Sequence, residues 1–351
     1  MFNFSNLKQI HLEITNNCQA SCPMCNRNIN GGIDNPLIKI KNWTIDDFKK
    51  VITLEVLQQL SSYYFCGNFG DPILNNDLIK MCEYSNNHSP NTGIVIHTNG
   101  SARSVDWWKT LANVLPKNHR VVFALDGLFD THQLYRIGTK FETVLENAKT
   151  FIEAGGIAEW VFIKFKHNEH QVDEARLLSQ QLGFKYFTLK NSSRFILEPK
   201  INVMNKQKKI THFIEPASDV PLKFIDKKII DNYQQIVDKS IISCKSKNDK
   251  EVYIDAYGDL FPCCWLASVP YSYINPDEAL AVRQKMREQH DELVKKLGSV
   301  NTFERSIKEI IESHAYQTVW DDFWSINKLV TCARTCGTNT DFIKPRDQIV
   351  Q

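Results

Sequence analysis

The sequence predicts an α/β fold: a partial (β/α)6 TIM-like barrel with a small C-terminal α+β domain that carries the second cysteine group. Three observations carry that expectation. Six short apolar, β-rich runs alternate with segments of helical periodicity through the first 190 or so residues. The alternation stops after about Arg194. The ten cysteines fall mainly into two groups, one at 18–25 and one at 244–336.

The six runs are Gln9–Thr15, Ser62–Cys66, Ile94–His97, Val121–Leu125, Trp160–Phe165 and Lys185–Leu189. Strands alternating with helices imply a parallel sheet with right-handed crossovers, and six units are fewer than the eight of a closed barrel. Thr44-Ile45-Asp46-Asp47 reads as a capping box with Asp in place of the usual Glu, followed by Ile45, Phe48, Val51 and Ile52 at helical spacing. Phe141, Val144, Leu145, Ala148, Phe151 and Ile152 form a second stripe, stopped by Gly155-Gly156. A third helix runs from Val172 to Gly183. In such a barrel the chemistry belongs at the C-terminal ends of the strands, and the first cysteine group lies directly after the first strand.

Residues 200–239 are polar and Lys-rich, without a clear strand, and predict a helical linker. Glu251–Cys263 reads as a hairpin turning at Tyr257-Gly258-Asp259, and Pro276–Leu297 and Thr302–His314 read as helices. The expected division is 1–199 for the barrel, 200–239 for the linker and 240–351 for the second domain.

Composition narrows the function classes. With 42% hydrophobic and 23% charged residues the chain reads as an ordinary soluble globular protein. A net charge of +2 gives no electrostatic reason to expect a nucleic-acid partner. The first fifteen residues lack a basic segment leading into an apolar one, and no apolar run reaches about 18 residues, so no membrane partner is expected and the expected location is cytoplasmic. In a reducing compartment, cysteines point to metal or catalytic roles rather than disulfides.

Cys18-Gln-Ala-Ser-Cys22-Pro-Met-Cys25 has the spacing CxxxCxxC, and three thiolates so close can converge on one soft metal centre. Spacing alone leaves two occupants open. One is structural zinc with His11 or His97 as fourth ligand; the other is an iron–sulfur cluster whose fourth iron stays open, as a catalytic zinc keeps a position free.

A CxxxCxxC loop after the first strand of a βα series resembles the radical SAM superfamily, and the resemblance extends over the first 200 residues or so. It implies a [4Fe–4S] cluster on Cys18, Cys22 and Cys25 whose open iron is chelated by S-adenosylmethionine. Reductive cleavage would then give a 5′-deoxyadenosyl radical that abstracts a substrate hydrogen. Met24 stands where the family usually has an aromatic residue packed on adenine. Gly67, Asn68, Gly70 and Asp71, at the end of the second strand, match its glycine-rich motif for the methionine amine, with Asp71 replacing the usual Glu. Thr98 and Asn99 match its ribose-side loop. Asp126 ends the fourth strand, and the following His132, Tyr135 and Arg136 resemble a pattern that places the arginine near the methionine carboxylate. Asn168 and Glu169 sit where the family contacts ribose or adenine. Read singly, Gly-Asp-Pro and Asn-Gly are ordinary turns and Arg136 an ordinary helix charge.

In the second group, Cys244 precedes Gly258 by thirteen intervening residues and Cys263 follows it by four, with Cys332-Ala-Arg-Thr-Cys336 further on. This spacing resembles the SPASM and twitch extensions of the same superfamily. It implies one auxiliary [4Fe–4S] cluster on Cys244, Cys263, Cys332 and Cys336; a Cys₄ zinc site is the alternative. Cys264 is left as a small buried hydrophobe or an exchange ligand, and Cys66 and Cys82 read as core residues. Trp107, Trp108, Trp320 and Trp324 read as packing. Lys206, Lys208, Lys209, Lys227 and Lys228 read as a solvated linker surface, with a phosphate-bearing substrate as the alternative.

The resemblance implies an enzyme with two [4Fe–4S] clusters and S-adenosylmethionine, fed by an external electron donor such as flavodoxin or ferredoxin. An auxiliary cluster with four protein ligands would relay an electron, which suits oxidative modification of a peptide or protein side chain. The first strand begins by about residue 9, leaving no N-terminal peptide-recognition domain of the kind many peptide-modifying relatives carry. Dehydrogenation or modification of a small molecule or nucleotide-derived substrate is therefore the alternative. A non-catalytic iron–sulfur or zinc-binding protein is the reading from a different class. Glu13, Lys164 and Lys190, at strand ends, are the acid–base candidates, and sequence does not separate them from buried ion pairs.

Overall fold

The computed structural model describes residues 1–192, 194–195, 200–220, 233–272, 280–338 and 349–350. The six expected strands are present: β1 (Gln9–Leu12), β2 (Ser62–Phe65), β3 (Gly93–Thr98), β4 (His119–Ala124), β5 (Ala158–Lys164) and β6 (Tyr186–Asn191). Each pairs in parallel with the next, with Gln9 opposite Ser62 and Ser62 opposite Gly93. Their inner residues, among them Ile10, Leu12, Phe65, Ile96, Phe123 and Phe162, are fully or almost fully buried. Strands covered on both faces read as near-continuous apolar runs, which made them legible in the sequence.

Helices return the chain between strands on the outside. In α1 (Ile45–Val51) the Thr44 side chain accepts from the Asp47 amide while the Asp47 carboxylate accepts from the Thr44 amide, so Asp completes the capping box. Outside the sheet lie α2 (Leu78–His88), α3 (Val105–Val114), α4 (Phe141–Glu153) and α5 (Val172–Gln181). Trp108 of α3 and Phe151 of α4 pack with Phe123 of β4.

Two findings depart from the sequence expectation. The segment read as a linker without strands contains an antiparallel hairpin, β7 (Ile201–Met204) with β8 (Ile210–Ile214), before a helix at Tyr233–Lys239. Its lysines obscured the pattern because Lys206, Lys208 and Lys209 form the turn, while Val203 and Ile214 are fully buried against Cys22 and Met24 of the cysteine loop. Lys227 and Lys228 lie outside the described residues. The second departure concerns the C-terminal segment. Its hairpin, β9 (Glu251–Ile254) with β10 (Leu260–Phe261), joins the barrel sheet, and β9 runs parallel to β1 over the full length of both. The sheet order is therefore β10-β9-β1-β2-β3-β4-β5-β6-β11, the last being Ile349–Val350 antiparallel to β6. The remaining C-terminal helices include α6 (Leu280–Leu297), α7 (His314–Ser325) and α8 (Val330–Cys336). The expected helix start at Pro276 lies outside the described residues. No described helix is long and apolar enough to cross a membrane.

Candidate functional site

The site starts at the end of β1. Glu13 is almost completely buried; its Oε1 accepts from the amides of Phe69 (2.9 Å) and Gly70 (3.0 Å), and its Oε2 from the Tyr253 hydroxyl (2.5 Å). Burial pushes this carboxyl upward, and the donors around it work in the opposite direction by favouring the charged form. Glu13 thus folds the loop after β2 around itself and ties it to β9. That assignment removes it from the acid–base candidates. Lys164 is likewise paired, 2.6 Å from Asp219.

The cysteine loop is strapped from both sides. The Ser21 amide donates to Ile137 O (2.8 Å) and the Cys25 amide to Cys22 O (3.0 Å), while Asn28 Nδ2 donates to Cys22 O (3.1 Å). Each thiol meets one of the strand-end groups named from the sequence. Asn99 Nδ2 lies 3.6 Å from Cys18 Sγ, Arg136 Nη1 3.8 Å from Cys22 Sγ, and the Asn68 carbonyl 3.9 Å from Cys25 Sγ. Burial pushes Cys18 and Cys22 upward, and the neighbouring loop thiols add to it, since two thiolates together repel. Arg136 is the cation that opposes this at Cys22.

Arg136 is itself held. Its Nε donates to Asp126 Oδ2 (2.6 Å), and Asp126, with no exposed surface, also accepts from the Ile163 amide (2.5 Å). Burial works against the guanidinium charge, but Asp126 and Cys22 outweigh it and raise its pKa.

Two residues expected at the cofactor also make contacts within the protein. Asp71 Oδ2 accepts from the Asn99 amide (2.7 Å) and the Thr98 hydroxyl (3.1 Å), and Oδ1 accepts from the Ile73 amide (3.2 Å). The carboxylate therefore ties the loops after β2 and β3 together. Asn168 is fully buried and closes its own turn, accepting from the Phe165 amide (2.7 Å) and donating to Ile163 O (3.0 Å). It does not join the other site residues. Glu169 accepts from Ser218 at the surface. Gly70 needs to be glycine for space: a Cβ there would lie 1.9 Å from Thr15 O.

The distant cysteines converge through local structure. Ile241–Ile242 pairs antiparallel with Gly337–Thr338, and the Ser243 amide donates to Cys336 O (3.0 Å), which brings Cys244 to Cys336. Cys263 precedes the short helix Cys264–Ala267, and Cys332 and Cys336 sit one turn apart on α8. Burial raises the pKa of Cys244 to about 11 and of Cys263 to about 12, and both interact by charge with Cys336. Cys332 interacts by charge with all three. Gly258, at φ +93°, makes the turn before β10, and a side chain there would strike Phe303. Cys264 interacts by charge with Cys263 first and then with Cys66, Glu251 and Glu13.

Among the described residues no three Cys, His, Asp or Glu side chains gather tightly enough to hold a single metal ion. A mononuclear zinc requires every sulfur about 2.3 Å from one ion. His11 does not complete a thiol site, since its Nε2 faces Cys66 O at 2.5 Å and burial lowers its pKa to about 4.

Between the two thiol groups lies a cavity of about 740 Å³. Met24, Cys25, Gly67 and Asn68 line its barrel side, and Cys264, Trp265, Thr331 and Arg334 its C-terminal side. Asn68 bridges them, donating to Cys264 O (2.9 Å). Sequence reasoning missed several lining residues. Cys66 was read as core because it ends a buried strand, Cys264 as a small buried hydrophobe or an exchange ligand, Arg194 and Arg287 belong to segments with no motif, and Arg334 lies between two cysteines that drew the attention.

Residues 12–175 match the Radical SAM superfamily model, and residues 244–337 match SPASM, an iron–sulfur cluster-binding domain. The two matches together take in more than two thirds of the sequence, and the chain belongs to the radical SAM superfamily and carries a C-terminal SPASM domain. Membership makes it an enzyme whose cofactors are S-adenosylmethionine and [4Fe–4S] clusters. By sequence, no curated relative matches. Solved structures of similar fold include Streptococcus suis SuiB bound to S-adenosylmethionine, with 13% identity and a TM-score of 0.53 over 89% of this chain and 67% of that one. SuiB bound to its precursor peptide SuiA gives 15% and 0.55 over 89% and 66%. The protein anSMEcpe with bound AdoMet and a Cp18Cys peptide gives 14% and 0.52 over 93% and 88%. At such identities the likeness shows the fold.

Proposed function

We propose that this chain oxidatively modifies a peptide or protein side chain, with Cys18, Cys22 and Cys25 holding the S-adenosylmethionine-binding cluster and Cys244, Cys263, Cys332 and Cys336 one auxiliary cluster. The observation that carries this is a cavity reaching from the first thiol loop to the segment around the second thiol group. Together the clusters would supply cleavage of S-adenosylmethionine, hydrogen abstraction and a path for the electron the substrate gives up. The chain's own residues do the rest. Arg136, fixed by Asp126, opposes the negative charge at Cys22. Asn99 and the Asn68 carbonyl orient Cys18 and Cys25, and Met24 presents a thioether to the cavity, where it can pack on an adenine. Glu13 and Asp71 hold the loops after β2 and β3 in place, so the glycine-rich backbone can approach a ligand closely without reorganising. Peptide-bound SuiB and anSMEcpe, which share this fold, support a peptide as substrate.

The test is mass spectrometry of candidate peptides incubated anaerobically with reconstituted protein, S-adenosylmethionine and dithionite. A loss of two hydrogens or a new cross-link that requires both Cys22 and Cys332 is expected. A product that persists in Cys22→Ala protein would refute the reading, as would a product confined to small molecules.

A further inference from the structure

The cavity between the two thiol groups has a one-sided electrostatic character. The chain has 40 Asp and Glu residues against 42 Lys and Arg, yet among the described residues no Asp or Glu lines the cavity, whereas Arg194, Lys208, Arg283, Arg287 and Arg334 do. These cations come from four separate elements: the loop after β6, the β7–β8 turn, α6 and α8. Among the described residues Arg194, Lys208, Arg287 and Arg334 form no ion pair. Arg194 donates to Met24 O and Arg287 Nη2 to Ser272 O, both neutral carbonyls. The Nε of Arg287 is buried without a hydrogen-bond partner among the described residues. Arg334 lies on α8 and lines the same cavity. Arg287 and Arg334 are partly buried and Arg194 and Lys208 exposed; a partly buried cation without a counter-charge is costly, and a cavity lined by several cations suits an anion.

The arrangement also speaks to the form of that anion. One phosphate would be gathered by donors converging on a point, as at a glycine-rich loop or helix N-terminus. Here the cations come from four separate elements, with Ile29, Ile201, Val269 and Met286 also lining the cavity. That pattern suits a chain carrying several separated carboxylates with apolar side chains between them. We propose that the cavity binds an acidic peptide segment, its Asp or Glu carboxylates pairing with Arg194, Lys208, Arg287 and Arg334. The proposal rests on the reading of a peptide substrate and names its chemical class.

Binding can be read without turnover, which separates this proposal from the activity itself. Full-length protein, reconstituted anaerobically with S-adenosylmethionine present, is titrated into fluorescein-labelled Gly-Glu-Glu-Glu-Glu-Gly and into its glutamine and lysine counterparts, and anisotropy is followed. The glutamate probe should bind at least tenfold tighter than either counterpart at low salt, and lose most of that advantage at about 0.5 M salt. Arg287→Gln and Arg334→Gln should each weaken it about tenfold, and Arg287→Lys should restore most of the loss. Lys208→Gln, at an exposed turn where folding is not at stake, should weaken it several-fold. Equal binding of the glutamate and glutamine probes would overturn the proposal. So would capture of inorganic pyrophosphate by a protein that ignores the glutamate probe, which would assign the cations to a phosphate. Absence of S-adenosylmethionine cleavage would sink the enzyme reading and leave the binding result standing.

Discussion

Replacing Arg136 by Met removes one side of the most deeply buried ion pair in the site. Asp126 has no exposed surface and sits 2.6 Å from the guanidinium; its remaining partner is the Ile163 amide. Losing the arginine leaves a buried carboxylate with a single donor, which costs about 3–5 kcal/mol. Over 351 residues, at about 2.1 cal/mol/K per residue, that is a fall in melting temperature of roughly 4–7 °C. The double variant Arg136→Met/Asp126→Asn removes both charges and should recover most of the loss, because the penalty belongs to the orphaned carboxylate. Thermal melts followed by far-UV circular dichroism, on protein kept anaerobic, read both effects. A fall below about 1 °C for the single variant, or a double variant no more stable than the single, would refute the argument that this pair holds the strand ends together.

Other consequences are as specific. Cys332→Ala should lower iron by about four atoms per chain, since a cluster deprived of a thiolate is lost, and unchanged iron would contradict the ligand set. Gly70→Ala drives a Cβ to 1.9 Å from Thr15 O, so the loop must leave Glu13; S-adenosylmethionine binding by equilibrium dialysis should weaken at least tenfold, and wild-type affinity would show the loop is not needed. His132, buried, has its pKa lowered from 6.5 to about 3 by burial and then by Arg136. The unfolded chain protonates this residue below pH 6.5 and the folded one does not, so it costs stability as pH falls through the window from 6.5 to 3. His132→Gln should therefore remove about 1.4 kcal/mol per pH unit from the slope of unfolding free energy between about pH 6 and 4.5. An unchanged slope in urea titrations would contradict that environment.

The parallel strands were legible because β1–β5 carry short, largely buried apolar runs, and the cysteine loop because three thiols lie within eight residues. The hairpin β7–β8 was not, since its short strands are flanked by a lysine-rich turn whose composition dominates any window over it. Nor does the sequence say that β9 adds to β1, because pairing between strands 240 residues apart leaves no local periodicity. The loop-tying contacts of Asp71 and Asn168 were not legible for a related reason. A short polar side chain at a strand end can face a ligand or tie down its own loop, and only the positions of the Asn99 and Phe165 amides decide between the two. The cationic lining escaped because its members come from four segments with no shared motif.

The central claim is that the Cys18, Cys22 and Cys25 loop supports cleavage of S-adenosylmethionine. Reconstituted protein is reduced with dithionite in the presence of S-adenosylmethionine, and 5′-deoxyadenosine is quantified by chromatography. Wild-type protein should form it over multiple hours, and Cys22→Ala protein should form none above the protein-free control. Equal 5′-deoxyadenosine from the two proteins, or none from the wild type with its iron in place, would contradict the account.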